Sequence, residues 1–520
     1  MTQPSADDDA AKPNVAGGWL AACDTLTAVP ANQSVARWAN RALLCGLTLF
    51  ALAVPHSIFA AHLGLNISWL AWLVRDLSLR KFHFRRTPLD LPLLCLIGLT
   101  VLSAIFSIEP AVSLPKLKAL LLFGVVYLLA TNMQPRAARW LLNVLLCSAV
   151  TSAGFSLLEK LYGRGMVITS IGTHCPLTVE LSGSELQAGD VIWMIAKQRV
   201  YSLDDAAQII RRHRPGEKLS VETLHEGDPL PVSLAVTAAL QASENPLGIT
   251  IAGRSRRFRV SGFTRQFLTY AEQMQMLALL CYGFLLSSGL SSGKRSGRRT
   301  LCWFSLFAIF SLTLVLTASR AVIAAFLLAL SVVSLLAGGR RVRVMALLLV
   351  LCLSGLSIYV INIGRQSGSA TLTDDSAKRR LEYMRAGLRL IPQHPWLGVG
   401  QDAHKLHWQE WGLPGAYVTH MHSTPIQLAL DRGVPAMLCY LWLLVTLLQL
   451  AWRDYRHIAP ASEAAGLPLG VWGAVLGFAL SSLTNYNFGD AEVVLLLWLL
   501  AGLQLVNQAF HTATPATSQA

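Results

Sequence analysis

Long apolar runs recur along the whole sequence and limit what the chain can fold into. Many reach about 18 residues, and a helix of about 20 apolar residues crosses the hydrocarbon core of a bilayer. A transmembrane strand would instead need a stretch that alternates between apolar and polar residues, and these runs do not alternate. Hydrophobic residues make up 53% of the chain and charged residues only 14%, a balance that is unusual for a soluble protein. The sequence therefore predicts an all-α polytopic membrane protein.

The apolar runs predict about twelve membrane-spanning helices. They cover residues 40–58, 60–76, 90–107, 115–133, 138–160, 267–288, 300–318, 321–338, 343–362, 434–452, 468–485 and 491–508. Pro55 and His56 interrupt the first pair, which a short turn must separate.

Basic residues mark every second connection between these spans and so predict their direction. Examples are Arg80 and Lys81 after the second span, and Arg340 and Arg341 after the eighth. Because Lys and Arg are enriched in cytoplasmic loops, both termini are predicted to lie in the cytoplasm. The net charge of +14 is thereby explained without a nucleic-acid partner. Two long connections, at about 162–266 and 363–433, then fall on the external side.

Seven parts are predicted along the chain. They are a flexible tail at 1–36, spans at 37–162, a folded external insert at 163–258, spans at 259–362, an external catalytic loop at 363–433, spans at 434–508 and a disordered tail at 509–520. The first tail has no basic stretch followed by an apolar stretch, so no cleaved signal peptide is predicted.

The insert has the pattern of a small α+β domain. A Gly-Asp-Val-Ile strand lies within 186–195, Ser202 can cap a helix that runs to Arg212, Pro215-Gly216 forms a turn, and 219–224 and 230–236 form a hairpin. Over roughly 165–240 this order resembles a PDZ domain. The resemblance implies capture of a peptide or protein partner by strand addition. A structural lid or spacer is the alternative.

Four short motifs lie outside the insert. They are Arg259-Val-Ser-Gly-Phe263, Thr317-Ala-Ser-Arg320, His394-Pro-Trp-Leu-Gly-Val-Gly400 and His422-Ser-Thr-Pro-Ile-Gln427. Together they resemble the O-antigen ligase and polymerase superfamily of C-type glycosyltransferases, over roughly 90–162 and 259–508. That family has only a short connection where this chain has its insert, so the role of the insert stays open.

The resemblance implies three catalytic residues. His422 would accept the proton of an attacking sugar hydroxyl, and Arg259 and Arg320 would bind the diphosphate of a lipid-linked donor. Arginine forks suit phosphate oxygens and stay charged, while an ordinary histidine pKa near 6.5 leaves the ring free to accept a proton. The charge-derived topology, which did not use these identities, places all three on the external face. Taken singly, an arginine can instead reach lipid headgroups and a histidine can cap the next helix.

Five further residues are candidates for substrate binding. Arg257 and Arg265 would add positive charge around Arg259, unless they form a solvated patch at the lipid headgroups. Gln427 closes the His-Ser motif, and His420 is a neighbour of His422. Asp490 would orient His422 through a hydrogen bond or, alternatively, cap the last span. The stretch from 380 to 391 has the spacing of an amphipathic helix that receives the acceptor glycan or packs on the bilayer.

The implied activity is that of an O-antigen ligase at the periplasmic face of the bacterial inner membrane. It would move a preassembled glycan from undecaprenyl diphosphate to lipid A–core, with membrane lipids as further partners. Alternatives in the same superfamily are an O-antigen polymerase and a protein O-oligosaccharyltransferase. A non-catalytic assembly factor or transporter is disfavoured, because the spans carry little charge and the two halves differ. No metal or cofactor is expected, since His404 and His407 lack a third ligand and no CxxC pair occurs.

Overall fold

The computed structural model describes residues 33–82, 84–172, 175–180, 185–225, 228–256, 258–264, 266–289, 294–364, 375–413, 420–458 and 462–513. Two candidate residues, Arg257 and Arg265, lie outside the described residues, as does most of each predicted tail. The first described helix begins at Ser34 and the last ends at Ala513, and the seven-part division of the chain stays a prediction.

Helices follow one another along most of the described chain. They are α1 (Ser34–Ala53), α2 (Ile58–Leu79), α3 (Asp90–Ile105), α4 (Pro110–Asn132), α5 (Pro135–Tyr162), α6 (Leu203–Arg211), α7 (Ala238–Ala242), α8 (Phe267–Gly289), α9 (Lys294–Leu316), α10 (Arg320–Ala337), α11 (Arg340–Gly364), α12 (Asp375–Leu390), α13 (Thr424–Arg432), α14 (Val434–His457), α15 (Gly466–Ser482) and α16 (Ala491–Ala513). Within α4, residues Leu114–Phe123 are wound as a 3₁₀ helix.

Eight helices of the described chain are long and apolar enough to cross a membrane. They are α2, α4, α5, α9, α10, α11, α14 and α16, and α3 and α15 are shorter apolar helices. Each predicted span overlaps one of these helices or α1 or α8. The mostly helical, polytopic membrane fold is therefore confirmed, while the count of about twelve spans and their direction stay predictions.

The chain divides into two compact units. The first comprises Met1–Asp90, Ala119–Ser148 and Leu495–Ala520, and the second comprises Leu91–Lys118 and Ala149–Val494. In the first unit α1 and α2 pack closely through Gly46 and Gly64, since a Cβ on Gly46 would lie 2.7 Å from the Gly64 carbonyl oxygen. Every candidate site residue that the structure describes belongs to the second unit.

A folded β-rich domain occupies the predicted insert. Its strands are β1 (Met166–Ile171), β2 (Leu177–Val179), β3 (Val191–Ile195), β4 (Gln198–Arg199), β5 (Lys218–His225), β6 (Asp228–Ala235) and β7 (Ile249–Ile251). The sheet order is β2-β6-β5-β3-β1-β7, with β4 paired to β3 and all neighbours antiparallel. The predicted strand, helix and hairpin fall at β3, α6 and β5–β6, whereas likeness to a PDZ domain stays a prediction.

The insert has a hydrophobic core of its own. Ile192, Ile210, Val221 and Leu234 are buried together in it. Helix α6 is amphipathic, and it begins after Ser202, whose hydroxyl accepts from the N–H of Asp205 at 3.2 Å in a capping box. Because burial of such side chains from the sheet and the helix stabilises a small domain, the insert is a folded body rather than an extended loop.

Candidate active site

Two of the predicted catalytic residues, Arg259 and Arg320, line one cavity. This open cavity has a volume of about 310 Å³. Its other lining residues are Phe267, Leu268, Ala318, Ser319, Ala321, Arg380, Leu381, Met384 and Thr484. Arg259 is half-buried, and its guanidinium lies 4.5 Å from the centre of the Phe267 ring. Three arginines on one cavity wall suit a ligand that carries several negative charges.

Arg259 and Arg320 lie on two chain segments that a backbone hydrogen bond joins. The N–H of Val260 donates to the carbonyl oxygen of Leu316 at 3.3 Å, just where α9 ends. The chain then turns sharply through Ala318, which has φ +51°, and α10 begins at Arg320. Arg320 therefore lies at the N-terminus of a helix, where the helix dipole adds positive potential to its own charge.

Gly262 and Phe263 explain the rest of the Arg-x-x-Gly-Phe pattern. Gly262 has φ +53°, and a Cβ there would lie 2.6 Å from the Tyr270 ring, so only glycine fits. The Phe263 ring stacks on Phe155 of α5 with centroids 4.4 Å apart. The turn and the ring contact together fix the chain on the C-terminal side of Arg259.

His422 lies in a tight turn immediately before α13. Its φ is +52°, and its ring packs against the rings of Tyr383, at 5.5 Å, and His420, at 4.4 Å between centroids. The backbone N–H of His422 donates to Nδ1 of His420 at 3.2 Å. Within the part of the chain that the structure describes, Nδ1 of His422 is buried and has no hydrogen-bond partner.

Both histidines are held in the neutral form. Burial lowers the pKa of His422 to about 3, with smaller contributions from His420 and Arg380. The pKa of His420 falls to about 4, mainly because of burial and then because of Lys405 and other charges. The His422 ring is therefore unprotonated at neutral pH and able to accept a proton.

Helix α12 connects the arginine-lined cavity with His422. Arg380 and Met384 line the cavity, while Tyr383, one position before Met384, packs under the His422 ring. The predicted amphipathic helix is thus present and extends from Asp375 to Leu390. Arg380 was not among the predicted site residues, although its i, i+3 and i+4 spacing to Tyr383 and Met384 is the pattern that identifies one helix face.

Gln427 fixes the turn that carries His422. It is fully buried, its Nε2 donates to Asp431 at 2.9 Å, and its Oε1 accepts from the N–H of Met421 at 2.7 Å. A direct substrate contact of Gln427 stays a prediction, but both ends of its amide bind protein groups here. Its contacts make Gln427 a positioning residue for the loop.

The His-Pro motif supports the other end of α13. Val399 and Gly400 donate from their backbone N–H groups to the carbonyl oxygens of Leu430 and Asp431, both at 2.9 Å. Gly398 has φ +67°, and a Cβ there would lie 2.5 Å from backbone atoms of α13. The side chain of His394 itself is exposed. The motif therefore holds α13 through its backbone.

Asp490 does not orient His422 in this structure. Its carboxylate accepts from the hydroxyl of Thr269 and from the N–H of Glu492, where α16 begins, and within the described residues it makes no hydrogen bond to His422. Burial, followed by Glu492, raises the pKa of Asp490 to about 8. The nearby Asn485 carbonyl oxygen instead accepts from the N–H of Thr424 at 3.0 Å. The contacts of Asp490 therefore fit the capping alternative at the start of α16, and its role in substrate binding stays a prediction.

The chain is a polytopic helical membrane protein, and the positive charge of its arginine-lined cavity suits an anionic ligand. No group of three or more His, Cys, Asp or Glu residues suited to a metal ion occurs in the described ranges.

Residues 305–441 match the family model described as O-antigen ligase, which supports assignment of the chain to the O-antigen ligase superfamily. The matched segment runs from α9 into α14 and includes Arg320, Arg380 and His422. No curated protein sequence matches the chain. The family indicates a ligase- or polymerase-type glycosyltransferase in a bacterial membrane.

Proposed function

We propose that this protein is an O-antigen ligase. It transfers a preassembled glycan from undecaprenyl diphosphate to a sugar of lipid A–core at the periplasmic face of the bacterial inner membrane. The observation that carries the proposal is the single cavity lined by Arg259, Arg320 and Arg380, which Tyr383 of the same helix connects to His422.

Departure of the lipid diphosphate is the step that the arginines assist. The bond between the anomeric carbon and the phosphate oxygen breaks, and negative charge grows on that oxygen. Guanidinium groups bind phosphate oxygens in pairs and keep their charge, so they stabilise the leaving group more as the bond breaks. Arg320 adds the positive end of α10 to this effect.

His422 acts as the general base. An acceptor hydroxyl attacks the anomeric carbon, the new carbon–oxygen bond forms, and the hydroxyl proton passes to the neutral imidazole. The low pKa of the ring in the ligand-free protein is caused partly by Arg380. Because a bound diphosphate would offset that positive charge, the pKa of His422 rises when the donor binds, and the ring becomes a better base when it is needed.

Complementation of a strain that lacks its ligase tests this function. We expect the wild type to restore glycan-capped lipopolysaccharide and His422→Ala to lose it by about 100-fold or more, as removal of a general base does. His394→Ala is the matched control, since His394 lies in the same connection and its side chain is exposed. Capping of lipopolysaccharide by His422→Ala at the wild-type level would show that His422 is not the general base.

Transfer to a different acceptor is the second candidate. The folded insert, with its own core, favours a peptide or protein partner, which fits a protein O-oligosaccharyltransferase better than a ligase. The same strain separates the candidates, because glycosylated protein or longer lipid-linked glycan without capped lipopolysaccharide would identify the acceptor. Absence of all three products would favour a non-catalytic assembly factor or a transporter.

A further inference from the structure

A buried ion cluster links the insert to the end of α5. We call Glu159, Arg164 and Arg199 the Glu159 cluster. The Glu159 carboxylate, whose side chain is 3% exposed, accepts from Nη2 of Arg164 at 2.5 Å and from Nη1 of Arg199. Arg164 lies between α5 and β1, while Arg199 belongs to β4 of the insert. Removal of one member of such a buried group leaves charge without compensation, so the cluster holds its geometry strongly.

The cluster also binds the segment that carries Arg259. We call residues 258–263 the Arg259 segment. Arg164 Nη2 donates to the Ser261 hydroxyl and Arg199 Nη2 donates to the Gly262 carbonyl oxygen, both at 3.2 Å. On the other side of Arg259, Lys160 Nζ donates to the Phe258 carbonyl oxygen at 2.7 Å. Cations from α5 and from the insert therefore hold the segment on both sides of Arg259.

Arg199 reaches the same segment by a second route. Its guanidinium lies 4.9 Å from the centre of the Phe155 ring, and the same ring stacks on Phe263. The position of Arg199 is itself set by the β3–β4 hairpin, in which Arg199 pairs with Met194. Both turn residues, Ala196 and Lys197, have positive φ, as a tight two-residue hairpin turn requires.

We propose that the insert positions the donor-binding arginine, with Arg199 as its positioning residue. Arg199 fixes Gly262 and Phe263, and these residues set where the Arg259 guanidinium lies in the cavity. The Val260–Leu316 hydrogen bond holds the same segment against α9, so the segment has little freedom once the insert is docked. The ligand class is a lipid diphosphate, and this assignment rests on the proposed function. The insert is then part of the diphosphate site, although none of the insert residues that the structure describes lines the cavity.

Binding of inorganic pyrophosphate to the full-length protein in detergent tests this inference without requiring transfer. Arg199→Lys keeps a cation beside Glu159 but has a single amino group in place of the guanidinium fork. We expect Arg199→Lys to weaken pyrophosphate binding about tenfold, and Arg199→Gln to weaken it further. Arg212→Lys, an exposed change in the same insert, should bind as the wild type does.

A double-mutant cycle separates positioning from a general loss of structure. If Arg199 acts through Arg259, adding Arg199→Lys to Arg259→Lys weakens binding by less than about twofold further. The same change added to Arg320→Lys should keep most of its effect. Unchanged binding by Arg199→Lys, additive effects in the Arg259→Lys background, or a wild type that binds no pyrophosphate would each overturn the proposal. A wild type that binds pyrophosphate tightly but transfers no glycan would overturn the proposed function alone.

Discussion

The N–H of Val260 donates to the carbonyl oxygen of Leu316 at 3.3 Å, and this hydrogen bond joins the chain beside Arg259 to the chain beside Arg320. Neither arginine is placed by its own side chain alone. The position of Arg259 is set by a turn that requires glycine at Gly262. The position of Arg320 is set by the sharp turn between α9 and α10. The shared backbone contact predicts that the two guanidinium groups act on one ligand.

Replacement of either cavity arginine by lysine should impair transfer even though the charge is kept. Lysine cannot present a planar fork to two phosphate oxygens, so Arg259→Lys and Arg320→Lys are each expected to lower kcat/KM for the donor about 100-fold. Purified protein with a lipid-linked donor gives the measurement.

Arg256→Lys is the matched control for these two variants, because Arg256 is exposed and does not line the cavity. Full activity of Arg259→Lys and Arg320→Lys would show that general positive potential is enough and that paired hydrogen bonds to phosphate are not needed.

Gln427→Leu should destabilise the protein and reduce turnover. The change leaves the Met421 N–H and the Asp431 carboxylate without their buried partner, at a cost of about 1–3 kcal/mol. Because the turn at His422 loosens, kcat should fall more than KM rises. Thermal unfolding and steady-state kinetics measure both effects.

Gln409→Leu serves as the control for that change, since Gln409 is exposed in the same connection. If Gln427→Leu raised only KM, Gln427 would have a direct substrate contact, as the sequence predicted, rather than a positioning role.

The helices were predictable because the length and composition of each apolar run are local properties of the chain. The alternation of basic loops predicted Arg259 and Arg320 on one face of the membrane, and both line one cavity. The sequence could not decide between the two alternatives for Asp490, because its contact with Thr269 depends on how α8 packs beside the start of α16. The same limit applies to Arg380 and to the Glu159 cluster, whose contacts join segments that are distant in sequence.

Asp490→Asn should be tolerated. With its pKa raised to about 8, Asp490 is protonated and neutral at pH 7, and asparagine is a neutral replacement that can still accept from Thr269. The folded wild type holds a proton that the unfolded chain releases near pH 4, so its stability falls as the pH rises from about 4 to 8. The unfolding temperature of Asp490→Asn should therefore depend less on pH across that window.

Asp204→Asn, an exposed change in the insert, should leave the pH dependence of the unfolding temperature as in the wild type. A large loss of activity in Asp490→Asn, with unfolding unchanged, would show that an ionised carboxylate is required at this position.

The rate of transfer should show no acid limb near pH 6.5. Since the pKa of His422 in the ligand-free protein is lowered to about 3, kcat/KM for the donor, which reports the free enzyme, is expected to change less than about twofold between pH 5 and 8. A histidine with an ordinary pKa of 6.5 would instead lower it roughly 30-fold at pH 5. The pH dependence of kcat should differ from that of kcat/KM. Bound diphosphate offsets the positive charge of Arg380, so the pH below which kcat falls should be higher than the pH below which kcat/KM falls.

In Arg380→Gln the difference between these two pH values should become smaller, because the positive charge that the donor offsets is already absent. An acid limb near pH 6.5 in kcat/KM, unchanged in Arg380→Gln, would mean that neither burial nor Arg380 controls the proton affinity of the base.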